Sequence, residues 1–175
     1  MKKPSVTIDF VESFRELESF SVFIRHLSTD ILRDDRLAVI IVHTGAELVL
    51  NFLVKKLLKH GSSFSKKLSF MNKLMLLDEL GVIDNKLFKN LKVLKDLRDT
   101  AAHKPAEALN WKGRFAFDKE SNVYKGTVKL FGEPQDLRGY VYCVWNTFYE
   151  VALKANAQEE FKKLREAHKR FGQNQ

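Results

Sequence analysis

The sequence predicts an all-α fold: an antiparallel helical bundle with a small β-hairpin insertion around residues 110–132. Three observations lead there. Apolar residues recur at steps of three and four through most of the chain, which is the period of a helix face. Aspartate, serine and glycine stand where those stretches begin and end, as helix caps do. Between Asn110 and Gly132 the pattern changes to aromatic and β-branched runs around a polar turn, as in paired strands. Short connections between the helical stretches favour antiparallel neighbours.

The first helix carries Phe10, Phe14, Leu17, Ser21, Ile24 and Leu27 on one face, and Ser28-Thr29-Asp30 breaks it. Asp34 or Asp35 caps the second, which runs from Leu37 to Leu58 and stops at Gly61. Its start is apolar almost all round, so it is expected to be the central helix. Thr44, Glu47 and Asn51 form a polar stripe along it. Ser63 or Ser65 begins a third helix, with Leu68, Met71, Leu74, Met75 and Leu77 inward and Gly81 at its end. Asp84 caps a fourth, on which Arg98 and Ala101 continue the inward step of Leu87, Leu91 and Leu94. Pro105 stops it, because the residue before a proline is pushed out of the α region. After the hairpin, Glu133-Pro134-Gln135-Asp136 opens a long helix with Leu137, Tyr140 or Val141, Val144, Phe148, Val151 and Ala152 inward. A charged C-terminal helix is expected over residues 158–171.

The 175 residues suit one domain, with 45% hydrophobic and 30% charged residues. The net charge of +8 fits an anionic partner such as RNA, DNA or an acidic protein, or a solvated lysine-rich surface. Cys143 is the single cysteine, which excludes an intrachain disulfide and a cysteine-based zinc cluster. The start, MKKPSVTIDF, has no apolar core of a signal peptide. No apolar run is read as approaching the roughly 20 residues that span a bilayer. A soluble cytoplasmic protein with no membrane partner is therefore expected.

Arg98 is the chemical anomaly, because its helical step points it inward. A buried guanidinium needs a partner, and Glu47 on the central helix is the leading candidate. The alternative places Arg98 at the rim, reaching water. His103 follows five residues later, about 140° around an unbroken helix. Asp99 and His103 are four apart and share a face, so the carboxylate is placed to hold one imidazole tautomer. Either the helix frays near Thr100, or two copies of the segment meet across a dimer. The second arrangement brings an Arg and a His from each subunit into one cleft, which suits RNA cleavage without a metal or other cofactor. The spacing alone is weak, since Arg36 and His43 satisfy a similar one inside an apolar helix.

The string Leu97-Arg98-Asp99-Thr100-Ala101-Ala102-His103 resembles the R-x(4–6)-H signature of the HEPN superfamily. The stretch from Phe64 through Leu80-Gly81-Val82-Ile83 to His103 is also similar to the mannitol operon repressor group. The likeness covers residues 35–105 and, loosely, the final helix; the 110–132 insertion is outside it. It implies a HEPN-like helical bundle that forms a homodimer. It further implies a metal-independent endoribonuclease in which Arg98, His103 and the polar Asp99 gather at the dimer interface, with Glu47 as a buttress. Such proteins act as toxins in toxin–antitoxin pairs, in phage defence or in RNA processing, so a cognate antitoxin or regulatory protein is an expected partner. The alternative within the resemblance is a non-catalytic regulatory or interaction module, like the mannitol repressor group.

Other residues carry weaker signals. His26, His43, His60 and His168 lack metal-ligand spacing and read as core or surface histidines. Gly45 reads as a site of close helix packing. Trp111, Phe115 and Phe117, interleaved with Lys112 and Arg114, either stack on bases or cover the bundle. Lys162, Lys163, Arg165, Lys169 and Arg170 read as a solvated face that is also able to contact phosphates.

Overall fold

The computed structural model of the protein describes residues 14–24, 34–58 and 60–172, with side chains up to residue 158 except those of 130 and 131. Seven helices occupy these residues: α1 (14–24), α2 (Asp35–Leu57), α3 (Gly61–Lys67), α4 (Phe70–Glu79), α5 (Asn85–His103), α6 (Asn122–Phe131) and α7 (Leu137–Gly172). The expected helix start at Phe10, its break at Ser28-Thr29-Asp30, and His26 and Leu27 lie outside the described residues. So do the side chains of His168 and the basic residues from Lys162 to Arg170.

Helix α2 is the hub of the bundle. It packs against α3, α4, α5 and α7. Ala38, Val39, Val42, Ala46, Val49, Leu50, Phe52, Leu53 and Val54 are buried around more than half of its circumference, as an apolar-all-round sequence requires. Asp34 starts it by accepting a hydrogen bond from the Arg36 amide at 2.8 Å. By length and composition α2 is apolar enough to cross a membrane, contrary to the expectation that no such run exists. Within the fold, 61% of that stretch is buried against the other helices, which accounts for its composition.

Close packing shapes both glycines of this region. A Cβ on Gly45 would come within 3.0 Å of the Phe20 and Trp145 rings, so the glycine lets α1 and α7 approach α2. Gly61 does not end α2, as its position suggested. The helix closes at Leu58, whose amide bonds the Val54 carbonyl at 3.2 Å. Gly61 instead begins α3, where a Cβ would strike the backbone of Val54 and Lys55. The single third helix read from the sequence is two, because the Ser69 hydroxyl accepts from the Asn72 amide at 3.2 Å and starts α4 afresh. Gly81, at φ +64°, makes the turn after α4. Asp84 then caps α5 as expected, accepting from the Leu87 amide at 2.7 Å.

The β-hairpin is absent: there is no strand among the described residues. Its first half is a chain of turns and its second half is α6. Ser121 accepts from the Tyr124 amide at 3.1 Å and starts that helix. Tyr124 and Thr127, three apart, form its buried face, and Gly132 at φ +79° ends it. The aromatic and β-branched composition suggests a strand, but the buried residues Tyr124 and Thr127 fall at a helical step. In the first half, Phe115 and Phe117 do alternate with exposed residues, pack on the core and stack at 6.3 Å. The backbone between them pairs with a side chain instead of a strand. Asn90 donates to the Ala116 carbonyl and accepts from the Ala116 amide, each at 2.8 Å.

The last helix starts beside α2. Asp136 accepts from the Gly139 amide at 2.9 Å, and Arg138 pairs with Asp136 at 2.7 Å and Asp35 at 3.6 Å. Leu137, Val141, Val144, Trp145, Phe148 and Ala152 bury its inner face. The expected charged C-terminal helix over 158–171 continues α7 without a break to Gly172.

Candidate functional site

Helix α5 carries Leu97 to His103 as one unbroken α-helix, closed by the Lys104 amide bonding Thr100 at 3.0 Å. Fraying at Thr100 is therefore ruled out as a way to bring Arg98 and His103 together. On this helix they point about 140° apart. His103 is exposed, and among the described residues no side chain hydrogen-bonds or pairs with its imidazole.

The end of α5 is held by a residue that sequence reasoning set aside. The Arg36 guanidinium donates to the carbonyls of Thr100 at 3.3 Å, Ala101 at 3.4 Å and Lys104 at 3.3 Å, and also to that of Glu107. The last carbonyls of a helix have no partner within it, and a cation there also suits the helix dipole. Pro105 stops the helix, and Arg36 satisfies the groups the stop leaves open. The legible signal was a cation at the start of the central helix, together with a proline-ended α5 that needs donors.

With its charge acting on His43 of α2, the Arg98 side chain lies at the rim of the inward face and is 39% exposed. Its carboxylate partner is Asp99, at 3.2 Å, and Glu47 is not its buttress. Glu47 faces Lys73 of α4 at 3.6 Å. The reason is burial: Lys73 is 4% exposed, so its ammonium has more to gain from a carboxylate than a half-exposed guanidinium does. Asp99 does not orient His103 either. It binds Lys95 at 2.6 Å and Arg98 at 3.2 Å. The Lys95 hydrogen bond, reinforced by Arg98 against the opposing effect of burial, holds its carboxyl below the usual carboxylate range.

The histidine beside Arg98 is His43. It is 7% exposed and stacks on Phe70 with ring centroids 4.5 Å apart. Burial first, and then the Arg98 charge, lower its pKa to about 4, against the opposing pull of Glu47 and Asp99. Its Nε2 is buried with no hydrogen-bond partner. The Arg36–His43 spacing is thus accidental as a pair, while each residue separately touches the Arg98–His103 region.

The remaining candidates resolve simply. Trp111, Phe115 and Phe117 gather around Tyr140 of α7 at centroid distances of 5.3, 5.7 and 6.0 Å, so they cover the bundle. Arg114 pairs with Asp96 at 2.8 Å, and Lys112 is exposed. His60 is exposed before α3. Cys143 is buried, and burial pushes its thiol up to about 11, which disfavours the reactive thiolate. Among the described residues, no group of three His, Cys, Asp or Glu side chains is placed to hold a metal ion.

No family model, curated protein or solved structure matches the chain. The class that the geometry defines is a helical bundle whose fifth helix carries Arg98, half-exposed and paired with Asp99, and an exposed histidine at its end.

Proposed function

We propose that the protein is a metal-independent endoribonuclease of the HEPN kind, acting in the cytoplasm as a homodimer and serving as a toxin or defence effector. The observation that carries this reading is the placement of Arg98 and His103. One helix presents a free, exposed imidazole at its clamped end and a guanidinium about 140° away, so a single chain leaves the pair apart. Two copies meeting along α5 supply the missing half of each site.

In such a site Arg98 binds the scissile phosphate and stabilises the charge that develops on it. His103 takes the proton from the neighbouring 2′-OH, whose oxygen attacks the phosphorus. The P–O5′ bond breaks, and a second histidine, from the partner copy, returns a proton to the leaving oxygen. Asp99 acts on Arg98 and not on His103, and Glu47 acts on Lys73.

RNA incubated with the protein in EDTA should be cut to 2′,3′-cyclic phosphate and 5′-hydroxyl ends. His103→Ala should abolish that cutting without lowering the melting temperature. An Arg98→Ala/His103→Ala chain that cuts as fast as wild type would end the proposal.

A second reading is favoured by the ion pairs Lys95–Asp99 and Arg98–Asp99, which bind the motif's polar residues to one another. In that reading the chain is a non-catalytic regulatory module like the mannitol repressor group, docking an acidic partner on its basic surface. It expects Arg98→Gln to lower stability with no cleavage to lose.

A further inference from the structure

A cleft of about 730 Å³ opens at the start of α5, among the end of α2, the turn after α4, residues 116–118, α6 and α7. Asp84, on its rim, lies roughly 28 Å along the helix axis from His103, so the cleft is separate from the end of α5 that carries Arg98 and His103. Its size falls in the range of about 300–1,000 Å³ common to small-molecule sites. Ile83, Leu87, Phe117, Tyr124 and Val151 give it an apolar lining, and Leu57, 42% exposed, continues that lining at the end of α2.

The polar groups on this lining are engaged within the fold. Asn90 bonds both backbone groups of Ala116, the Thr147 hydroxyl donates to the Cys143 carbonyl at 2.8 Å, and the Tyr124 hydroxyl donates to Glu133 at 2.6 Å. A guest therefore gains there chiefly by burying apolar surface. The charges stand at the rim. Lys86 pairs with Asp118 at 3.7 Å, and Lys154 with Glu150 at 3.9 Å. Asp84 is left over: its Oδ1 accepts from the Leu87 amide, and it has no ammonium or guanidinium partner among the described residues. The two helices that begin at the cleft are already capped, α5 by Asp84 and α6 by Ser121. The charge left at the rim without a counter-charge is thus a carboxylate, and it favours a cationic group on the guest.

We propose that this cleft binds a small amine with an apolar body. The body lies on the lining between α5, α6 and α7, and the ammonium meets the second carboxylate oxygen of Asp84 at the rim. The site goes beyond the RNA-cleaving reading and does not rest on it.

The test follows the amide signals of residues 81–84, 116–124 and 147–155 by NMR in the full-length protein during titration with phenethylamine. Phenethyl alcohol and hydrocinnamate, of similar size, replace the ammonium with a hydroxyl and a carboxylate. Saturable shifts centred on these residues are expected, with phenethylamine bound roughly fivefold more tightly than the alcohol, as a solvent-facing ion pair allows. Asp84→Asn keeps an N-cap residue and removes the charge. It should bring the amine down to the affinity of the alcohol and leave the alcohol unchanged. Val123→Trp, which fills the cleft from α6, should abolish binding of both, and Asp84→Asn keeps the test decisive if that variant does not fold. Equal affinities for amine and alcohol in wild type, or tightest binding of the carboxylate, overturn the amine assignment. No saturable shift with any of the three probes overturns the site itself.

Discussion

The Arg36 guanidinium, on the first turn of α2, donates to the Thr100 carbonyl on the last turn of α5 at 3.3 Å. With Ala101, Lys104 and Glu107 also accepting from it, one side chain caps the helix that carries Arg98 and His103. Removing it leaves part-buried carbonyls without donors and removes a positive charge from the negative end of a helix dipole. Arg36→Ala is expected to destabilise the protein by about 1–2 kcal/mol. Arg36→Lys should recover part of that, since an ammonium keeps the charge but not the fork. Chemical denaturation gives the loss, and faster amide exchange at residues 100–104 locates it. An unchanged denaturation midpoint in Arg36→Ala would show that the cap contributes nothing.

Asn90 gives a second prediction. It is 2% exposed and holds both backbone groups of Ala116. Asn90→Ala removes two hydrogen bonds and opens a small cavity, which should cost about 2–3 kcal/mol. The Ala116 amide should lose its protection from exchange, and the Phe115–Phe117 stack against Tyr140 should loosen. If the amide stays protected, the segment is held by its aromatic contacts alone.

Asn90 also shows where the sequence was legible. Period and caps identified α2, α5 and the first part of α7, and offered Asp34 or Asp35 as the start of α2 and Asp84 as that of α5, because those signals are local. The 110–132 hairpin failed because an extended segment with alternating aromatics does not declare its partner, and here the partner is an asparagine 26 residues upstream. The site divided in the same way. Arg98's inward step was readable from one helix. That Glu47 serves Lys73, that Asp99 serves Lys95, and that Arg36 caps α5 depend on how three helices meet, which no single-helix pattern encodes.

His43 predicts a pH dependence of stability. Its pKa falls from 6.5 to about 4 on folding, through burial and the Arg98 charge, against Glu47 and Asp99. Above pH 6.5 it is neutral in both states, and its contribution is fully present. As pH falls toward 4 the unfolded chain takes up a proton that the folded one refuses, so stability is lost across that window, by about 3 kcal/mol at most. Asp99, held below the usual carboxylate range by Lys95, adds its own loss at lower pH still. Denaturation midpoints measured from pH 7 to 4 should fall in wild type and flatten in His43→Leu. Equal slopes in the two proteins would show that another group carries the dependence.

Glu47 separates the two partnerships open to it. If it serves Lys73, removing the carboxylate strands a cation that is 4% exposed, whereas removing Lys73 leaves a carboxylate 46% exposed that water can solvate. The single substitutions should therefore be unequal: Glu47→Gln is the more damaging, and Lys73→Met is close to neutral or stabilising, because a buried methionine needs no counter-charge. Screening at the exposed carboxylate limits the pair's coupling to about 0.5–1 kcal/mol. A double-mutant cycle on Glu47 and Lys73 should return that coupling, and one on Glu47 and Arg98 should return nearly none. The reverse result would restore the carboxylate to Arg98 and place the buried lysine of α4 without a partner.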